Sequence, residues 1–207
     1  AKWLGEKKMR GAARWGRGEK PMLREIHALL DETDAVVTYN GAKFDIPVLN
    51  REFAILRMPP PSPYKQIDLY REVKRLFRLE SNRMDAVLKR FAVGAKVEHE
   101  GFPLWTGCMT GNQGAQRRME NYNRGDVTSL ESLYRLLLPW IKTHPNRSAL
   151  SDAACCPKCG STDFQRRGEA LTATLRYVRF QCKACGGWFR GSKTTSPKGD
   201  KMQNIGG

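Results

Sequence analysis

Four cysteines in the last third of this 207-residue chain form two C-x-x-C-G elements. The first occupies 156–160, the second occupies 182–186, and 22 residues, 160–181, lie between the two pairs. Two thiolate pairs at such spacing can close a tetrahedral shell around Zn²⁺, with Zn–S bonds of about 2.3 Å. The glycine after each pair lets the turn bring backbone N–H groups toward sulfur. The pattern predicts a small β-hairpin module held together by zinc on Cys156, Cys159, Cys182 and Cys185.

Two disulfides are the alternative use of these thiols. The first eight residues are charged and contain no apolar run, so we see no secretory signal and favour reduced thiols that bind metal. Cys155 could replace Cys156 as a ligand in a C-x-x-x-C pair, but the symmetry of the two elements favours Cys156. Cys108 is distant and is interpreted as a buried or loop thiol. Four protein ligands leave no position open for catalysis, so the site is predicted to be structural, in a module that resembles a zinc ribbon.

Arginines and aromatic residues alternate within this module, which suits phosphate contact and base stacking. The alternative is that the rings form the small core of the ribbon, and some could do both. The residues concerned are Arg166, Arg167, Arg176, Arg179 and Arg190, with Phe164, Tyr177, Phe180, Trp188 and Phe189.

The chain is strongly basic, with 36 Lys and Arg against 21 Asp and Glu, a net charge of +15. The excess is +9 in residues 1–149 (26 basic, 17 acidic) and +6 in residues 150–207 (10 basic, 4 acidic). Both parts are therefore expected to meet a polyanion, with nucleic acid favoured over the alternative that the surplus only aids solubility. No apolar run approaches the roughly 18 residues of a membrane span. We expect a soluble protein with no membrane partner.

Periodicity predicts a helix through Leu23 and Leu30, a strand at 35–39 and a helix at 46–56 with Pro47 in its first turn. A short strand is predicted at 66–69. Further helices are predicted at 70–78, 82–92 and 115–141, the last with a possible break near Gly125. Residues 101–114 are interpreted as an irregular loop and 172–180 as a strand. The fold class predicted is α/β, with helices layered on a sheet.

The predicted organisation has four parts. An α/β domain covers 1–146, a linker covers 147–154, the zinc ribbon covers 155–191, and a disordered tail covers 192–207. The tail is assigned because it is rich in Gly, Ser, Lys and Thr and has no periodicity.

Two short segments carry candidate catalytic residues. Asp45 follows a predicted strand, where hard cations such as Mg²⁺ or Mn²⁺ are often bound, although it could equally be a helix N-cap. Tyr122 and Asp126 are four residues apart, so on a continuous helix a phenol and a carboxylate point into one site. The alternative is a surface tyrosine beside a capping aspartate.

The stretch Asn-Gly-x-x-Phe-Asp-x-Pro-x-Leu at 40–49 resembles the second motif of the DEDD superfamily of 3′-5′ exonucleases, which have a DnaQ-like or ribonuclease-H-like fold. Tyr122-x-x-x-Asp126 resembles the third motif of its tyrosine-bearing branch, DEDDy. Other positions are similar to a phage and bacterial group of predicted nucleases that often ends in a zinc ribbon. These are Lys96, His99, Gly101, Trp105, Asn123, Val127, Pro139, Trp140, His144, Pro145 and Asn146.

The resemblance implies specific roles. Asp45 and Asp126 would hold two catalytic Mg²⁺ or Mn²⁺ ions, and Tyr122 would orient the attacking water. Asn40 and Arg51 would support the site or substrate. Lys96 and His99 would contact the phosphate backbone of the substrate.

The chain departs from the family pattern in one respect. The first motif of the family, Asp-x-Glu on the central strand, does not occur in this sequence. We therefore expect an incomplete sheet at the N-terminus with unpaired strand edges, in either a fragment of a longer nuclease or a chain that has lost catalysis.

The predicted function is metal-dependent 3′-5′ exonuclease activity, with DNA as the favoured substrate. The protein is expected in the bacterial cytoplasm, encoded by a bacterium or a phage. The zinc ribbon would contact the substrate or a protein partner. The alternative is a non-catalytic module that binds nucleic acid or protein on a degenerate nuclease fold.

Overall fold

The computed structural model describes residues 1–94 and 101–197. The chain forms two compact units, Ala1–Arg135 and a second that begins at Leu136. Among the described residues, no helix has both the length and the apolar character that crossing a membrane would require.

Helices and strands alternate in the first unit, as the periodicity predicts. The order is α1 (Arg14–Arg17), α2 (Glu19–Asp31), β1 (Ala35–Thr38), α3 (Asp45–Ile55), β2 (Lys65–Asp68), α4 (Leu69–Leu76), α5 (Met84–Phe91), α6 (Phe102–Met109) and α7 (Gln113–Leu137).

The two strands of this unit pair in parallel, with Thr38 opposite Asp68. Their carboxyl ends therefore lie at the same edge of the sheet. Helices α2 and α3 pack together through Leu23, Leu30 and Phe53, which are buried in one cluster. This helix–strand–helix packing places the start of α3 beside the ends of both strands.

The interpretation of residues 101–114 as an irregular loop is wrong, because α6 occupies most of this segment. Pro103 lies in the first turn of α6, where its missing N–H costs little. Leu104 and Cys108 lie one turn apart and are buried against Ala115 and Met119 of α7. Tertiary packing thus stabilises a helix whose local composition suggests a loop. Helix α7 also runs through position 125 without the break that we considered.

The second unit contains a three-stranded antiparallel sheet in the order β3 (Phe164–Leu171), β4 (Arg176–Cys182) and β5 (Trp188–Thr194). A short 3₁₀ helix, Arg147–Leu150, lies in the predicted linker. The predicted strand at 172–180 is wrong in its first part. The Thr172 N–H donates to the Leu175 carbonyl at 2.9 Å, which closes a turn before β4 begins.

The predicted start of the disordered tail is also wrong, because β5 continues through Thr194. The Thr195 N–H and the Thr194 hydroxyl both donate to the Arg176 carbonyl, at 2.8 and 3.0 Å. These bonds extend the sheet beyond the point where side-chain periodicity ends. Residues 198–207 of the predicted tail lie outside the described residues.

Candidate active site and metal centre

The buried carboxylate of Asp68 organises the carboxyl ends of the two parallel strands. Its Oδ1 accepts the N–H groups of Asn40 at 2.7 Å and Tyr70 at 3.1 Å, and its Oδ2 accepts that of Ala42 at 3.2 Å. Asp68 thereby caps α4 and ties the turn after β1 to the end of β2. Asp68 is absent from the site residues predicted above, although an aspartate directly between a strand and a helical pattern is a recognisable N-cap signal.

A tight turn places Asp45 at the start of α3. Asn40 adopts a left-handed conformation (φ 62°), and its carbonyl accepts the N–H groups of Lys43 and Phe44. A Cβ at Gly41 would lie 2.6 Å from the Cβ of Thr38, so this position accepts only glycine without a shift. The turn therefore depends on Asn40-Gly41, the first two residues of the motif.

The structure does not support the N-cap interpretation of Asp45. Phe44 is the N-cap of α3, and Asp45 is the first helical residue. The Asp45 side chain is exposed, and no hydrogen bond or ion pair of this carboxylate is recorded among the described residues. The carboxylate is therefore available to a ligand near the amino end of a helix, where the dipole stabilises negative charge.

Tyr122 and Asp126 lie four residues apart on one face of the continuous helix α7, close enough for the Asp126 carboxylate to shift the pKa of the phenol. Burial, followed by the neighbouring Asp126 carboxylate and then the charge of Asp85, raises the pKa of Tyr122 to about 12. The phenol is thus neutral at physiological pH. Because Asp126 lies in mid-helix, the alternative of a capping aspartate is wrong.

One oxygen of Asp126 stands out. Its Oδ1 is buried and has no hydrogen-bond partner among the described residues. Burying a carboxylate oxygen without a partner is costly, so such an atom is expected to meet a donor or a cation when the protein functions. The donor chemistry of Asp126 therefore fits a hard divalent cation.

An apolar cavity of about 410 Å³ runs beside β1. All four residues of β1 line it. Because successive side chains of a strand point to opposite faces of the sheet, a cavity that touches all four lies along the edge of the strand. Asp45 and Val127, the neighbour of Asp126, also line it. The hydroxyl of Thr38, at the end of β1, is buried without a partner among the described residues. The unpaired strand edge that we expected is thus present here among the described strands, since β1 pairs with β2 alone.

A second, open cleft of about 570 Å³ contains Asn40, one of the predicted substrate-binding residues. Phe44 lines it and is 57% exposed. Its charged lining residues are Glu80 and Arg83, and Arg83 pairs with Asp85 at 3.5 Å. The Oδ1 atom of Asn82, another lining residue, is buried and unpartnered within the described part of the chain. The cleft thus offers an exposed ring and an open acceptor to a polar ligand.

The remaining predicted substrate residues are not placed at this site. Arg51, on α3, donates twice to Glu52 Oε1, at 2.9 and 2.6 Å. Lys96 and His99 lie outside the described residues. In the parts of the chain that the structure describes, no three Asp, Glu or His side chains gather as a metal-sized cluster. Asp45 and Asp126 are thus not joined there by a third carboxylate.

The four predicted zinc ligands do come together. The Sγ atoms of Cys156, Cys159, Cys182 and Cys185 all lie within 4.8 Å of one another. Two separations are 3.8 Å (Cys156 to Cys185) and 3.5 Å (Cys159 to Cys182). A tetrahedral ZnS₄ centre has sulfur atoms about 3.8 Å apart, so the arrangement fits zinc.

Backbone N–H groups support this cluster. Ser161 donates to Cys159 at 3.4 Å and Gly187 donates to Cys185 at 3.4 Å. Burial raises the pKa of both thiols, so their ionisation near neutral pH depends on a bound cation. Cys155 is buried but outside the cluster, and Cys108 lies in α6.

The aromatic residues of the ribbon divide between the two uses that the sequence suggests. Phe164, Phe180 and Phe189 pack against one another with ring centroids 5.3 to 5.6 Å apart. Tyr177 and Trp188 lie instead beneath arginine guanidinium groups. Three rings therefore form the small core, and two belong to a mixed surface.

A family model, RNase_H_2 of the RNase H superfamily, matches residues 9–138. The matched segment contains both strands of the first unit together with Asp45, Tyr122 and Asp126, and it ends before the cysteine cluster. No curated protein matches the chain.

Proposed function

This chain belongs to the RNase H superfamily, and from that membership we propose that it is a metal-dependent 3′-5′ exonuclease of the DEDDy type that acts on DNA. Proteins of the superfamily generally hydrolyse nucleic acids, and the net charge of +15 suits a polyanionic substrate. The resemblance of its motifs to phage and bacterial nucleases supports placing it in the bacterial cytoplasm, as a bacterial or phage-encoded protein.

The observation that carries the proposal is the pair formed by Tyr122 and Asp126. A neutral phenol lies beside a carboxylate whose Oδ1 is buried and has no hydrogen-bond partner among the described residues. A structural role for Asp126 would leave that oxygen without a partner, whereas a cation would satisfy it. Tyr122-x-x-x-Asp126 is also the spacing of the third DEDDy motif.

Each residue has a proposed role in hydrolysis. Asp126 would hold a Mg²⁺ or Mn²⁺ ion through Oδ1, with Asp45 as a further ligand. A bound ion of this kind lowers the pKa of water and stabilises charge that develops on phosphate oxygens. Tyr122, protonated up to a pH of about 12, positions the attacking water by hydrogen bonding. Water adds to phosphorus, the bond to the 3′ oxygen breaks, and that oxygen leaves with a proton.

A second candidate is a module that binds nucleic acid without cleaving it. The absence of Asp-x-Glu from the sequence favours it, as does the absence of a three-carboxylate cluster from the described residues. Removing anionic ligands weakens the binding of hard cations.

The two candidates are separated by incubating the chain with a 5′-labelled single-stranded oligonucleotide, with Mn²⁺, with Mg²⁺ or with EDTA. The exonuclease predicts a ladder of labelled products that shortens from the 3′ end only when the metal is present. A salt-sensitive complex with intact oligonucleotide under every condition would reject hydrolysis and support the second candidate. Immediate release of the labelled mononucleotide would reject the proposed polarity.

A further inference from the structure

One face of the ribbon sheet carries two arginines and two aromatic rings, Tyr177, Arg179, Trp188 and Arg190, which we call the arginine–aromatic face. Tyr177 and Arg179 are two residues apart on β4, and Trp188 and Arg190 are two residues apart on β5. The register is irregular between Tyr177 and Arg179, but the Arg190 guanidinium lies over the Tyr177 ring and so places that ring on the same face. The register pairs Arg179 directly with Arg190. Because side chains of directly paired residues point to the same side of a sheet, all four share one face.

Each guanidinium of this face lies over a ring of the neighbouring strand. Arg190 Cζ is 3.8 Å from the centroid of the Tyr177 ring, and Arg179 Cζ is 5.0 Å from that of Trp188. Arg179 Nε also donates to the Arg167 carbonyl at 2.8 Å. The arginines are therefore held in place by cation–π contacts before any ligand arrives.

The charges of this face are not compensated. Arg179 and Arg190 form no ion pair among the described residues, and like charges directly opposite on adjacent strands repel each other. Glu169 is the only acidic residue in β3, β4 or β5, and it pairs with Arg176 at 3.2 Å. The register places Glu169 opposite Val178, hence on the other face. An anion beside Arg179 and Arg190 would relieve their repulsion.

The opposite face of the same sheet serves as the core of the ribbon. Phe180 and Phe189 are paired in the register and stack with centroids 5.6 Å apart. Trp188, on the arginine–aromatic face, remains 47% exposed. The indole thus presents a large surface to solvent beside two uncompensated cations.

We propose that the arginine–aromatic face binds single-stranded nucleic acid, with Arg179 and Arg190 on successive phosphates and an unpaired base stacked on Trp188. Phosphates supply the anion that the arginine pair lacks, and every base has a flat face that can stack on an aromatic ring. A duplex would present no free base to Trp188. An acidic protein surface could neutralise the arginines but would leave the exposed indole without a planar partner.

The proposed function enters this inference at one point, because it supports the choice of nucleic acid as the ligand. Binding by the ribbon and hydrolysis by the first unit are measured separately, so either can fail while the other holds.

The test measures the affinity of the full chain for a fluorescein-labelled oligo(dT) by anisotropy at several salt concentrations, in EDTA-free buffer without Mg²⁺ or Mn²⁺. The first variant is the double substitution Arg179→Gln with Arg190→Gln. The matched control is Arg166→Gln with Arg176→Gln, which removes the same charge from the other face of the sheet. Trp188→Leu tests stacking, and zinc content confirms that each variant retains its ribbon.

The double variant Arg179→Gln with Arg190→Gln should lower the affinity for the oligonucleotide at least about tenfold. It should also reduce the slope of log K against log salt by about 0.7 per lost phosphate contact. Trp188→Leu should weaken binding about fivefold or more and remove the tryptophan quenching that stacking causes. The control pair should change the affinity by less than half as much as the first pair. Equal losses in the two double variants would overturn the proposal, as would unchanged binding in all variants. Either result would leave the cleavage assay to decide the proposed function alone.

Discussion

At the scale of single residues, Asp68 and Asp126 differ in how their oxygens are satisfied. Asp68 accepts three backbone N–H groups, which completes a helix cap and a turn. Asp126 lies beside the Tyr122 phenol, and its Oδ1 has no partner within the described residues. A satisfied buried carboxylate stabilises the fold, whereas an unsatisfied one is available for a ligand. The same residue type therefore has different expected phenotypes at the two positions.

Asp68→Ala should lower the free energy of unfolding by about 2–4 kcal/mol, because it removes a helix cap and leaves three backbone donors without their acceptor. Urea unfolding followed by circular dichroism at 222 nm measures this, since the long helices belong to the first unit. Asp34→Ala is the control, because Asp34 is exposed and should change stability by no more than about 0.5 kcal/mol. Equal losses of unfolding free energy in both variants would contradict the role of Asp68 in capping α4 and holding the turn after β1.

Tyr122 should ionise late in an alkaline titration. Burial comes first among the causes that raise its pKa from 10 to about 12, followed by the neighbouring Asp126 carboxylate. The folded protein therefore favours the neutral phenol. The stability this contributes is fully present below pH 10 and is lost as the pH rises toward 12. The difference in absorbance at 295 nm between the wild type and Tyr122→Phe should show one phenol titrating near pH 12. A midpoint near pH 10 would contradict both the burial of the phenol and the effect of the Asp126 carboxylate on it.

At the scale of elements, the ribbon depends on which cysteines turn toward the metal. Cys155 and Cys156 are adjacent and both buried, yet only Cys156 belongs to the four-sulfur cluster. The two left-handed glycines after the pairs, Gly160 (φ 79°) and Gly186 (φ 75°), give both C-x-x-C turns the same geometry.

Cys156→Ser should therefore abolish stoichiometric zinc binding or reduce its affinity by several orders of magnitude, because three thiolates leave the shell incomplete. Cys155→Ser removes an equally buried neighbouring thiol and should retain one zinc per chain. Zinc released by a thiol-modifying reagent and detected with a chromogenic chelator measures both. Loss of zinc from Cys155→Ser with retention in Cys156→Ser would reverse the ligand assignment.

The elements that sequence alone predicts are those stabilised by local signals. The apolar period of α2 and the β-branched run of β1 predict both elements to within a few residues. Helix α6 could not be predicted, because Leu104 and Cys108 become a buried stripe only when α7 packs against them. The end of β5 likewise depends on a hydrogen bond to Arg176, far away in sequence.

Local sequence patterns also predict part of the candidate site. The spacing of Tyr122 and Asp126 predicts that they share a helix face, and the structure places them so. The sequence left two roles open for Asp45, a helix cap and a metal ligand, because aspartate is typical of both. The structure places the N-cap of α3 one residue earlier, at Phe44. The importance of Asp68 follows from the parallel pairing of β1 and β2, which no local pattern reveals.

At the scale of the whole molecule, the net charge is +15, and each of the two units carries a site with its own chemistry. The first unit contains a carboxylate oxygen that needs a cation, and the ribbon contains a cation pair that needs an anion. We therefore propose that the chain binds nucleic acid through the ribbon and acts on it through the first unit. Binding and hydrolysis should therefore respond to different substitutions.

The most direct test of the central claim is the rate of 3′-end trimming in Mn²⁺ by the wild type and by Asp126→Asn, with oligonucleotide binding recorded in the same samples. Asp126→Asn keeps the size of the side chain but removes the charge that would hold the metal. It should lower the trimming rate about a hundredfold or more, a loss comparable to that of a catalytic group, while affinity for the oligonucleotide changes less than about twofold. Trimming by Asp126→Asn at the wild-type rate would contradict the account.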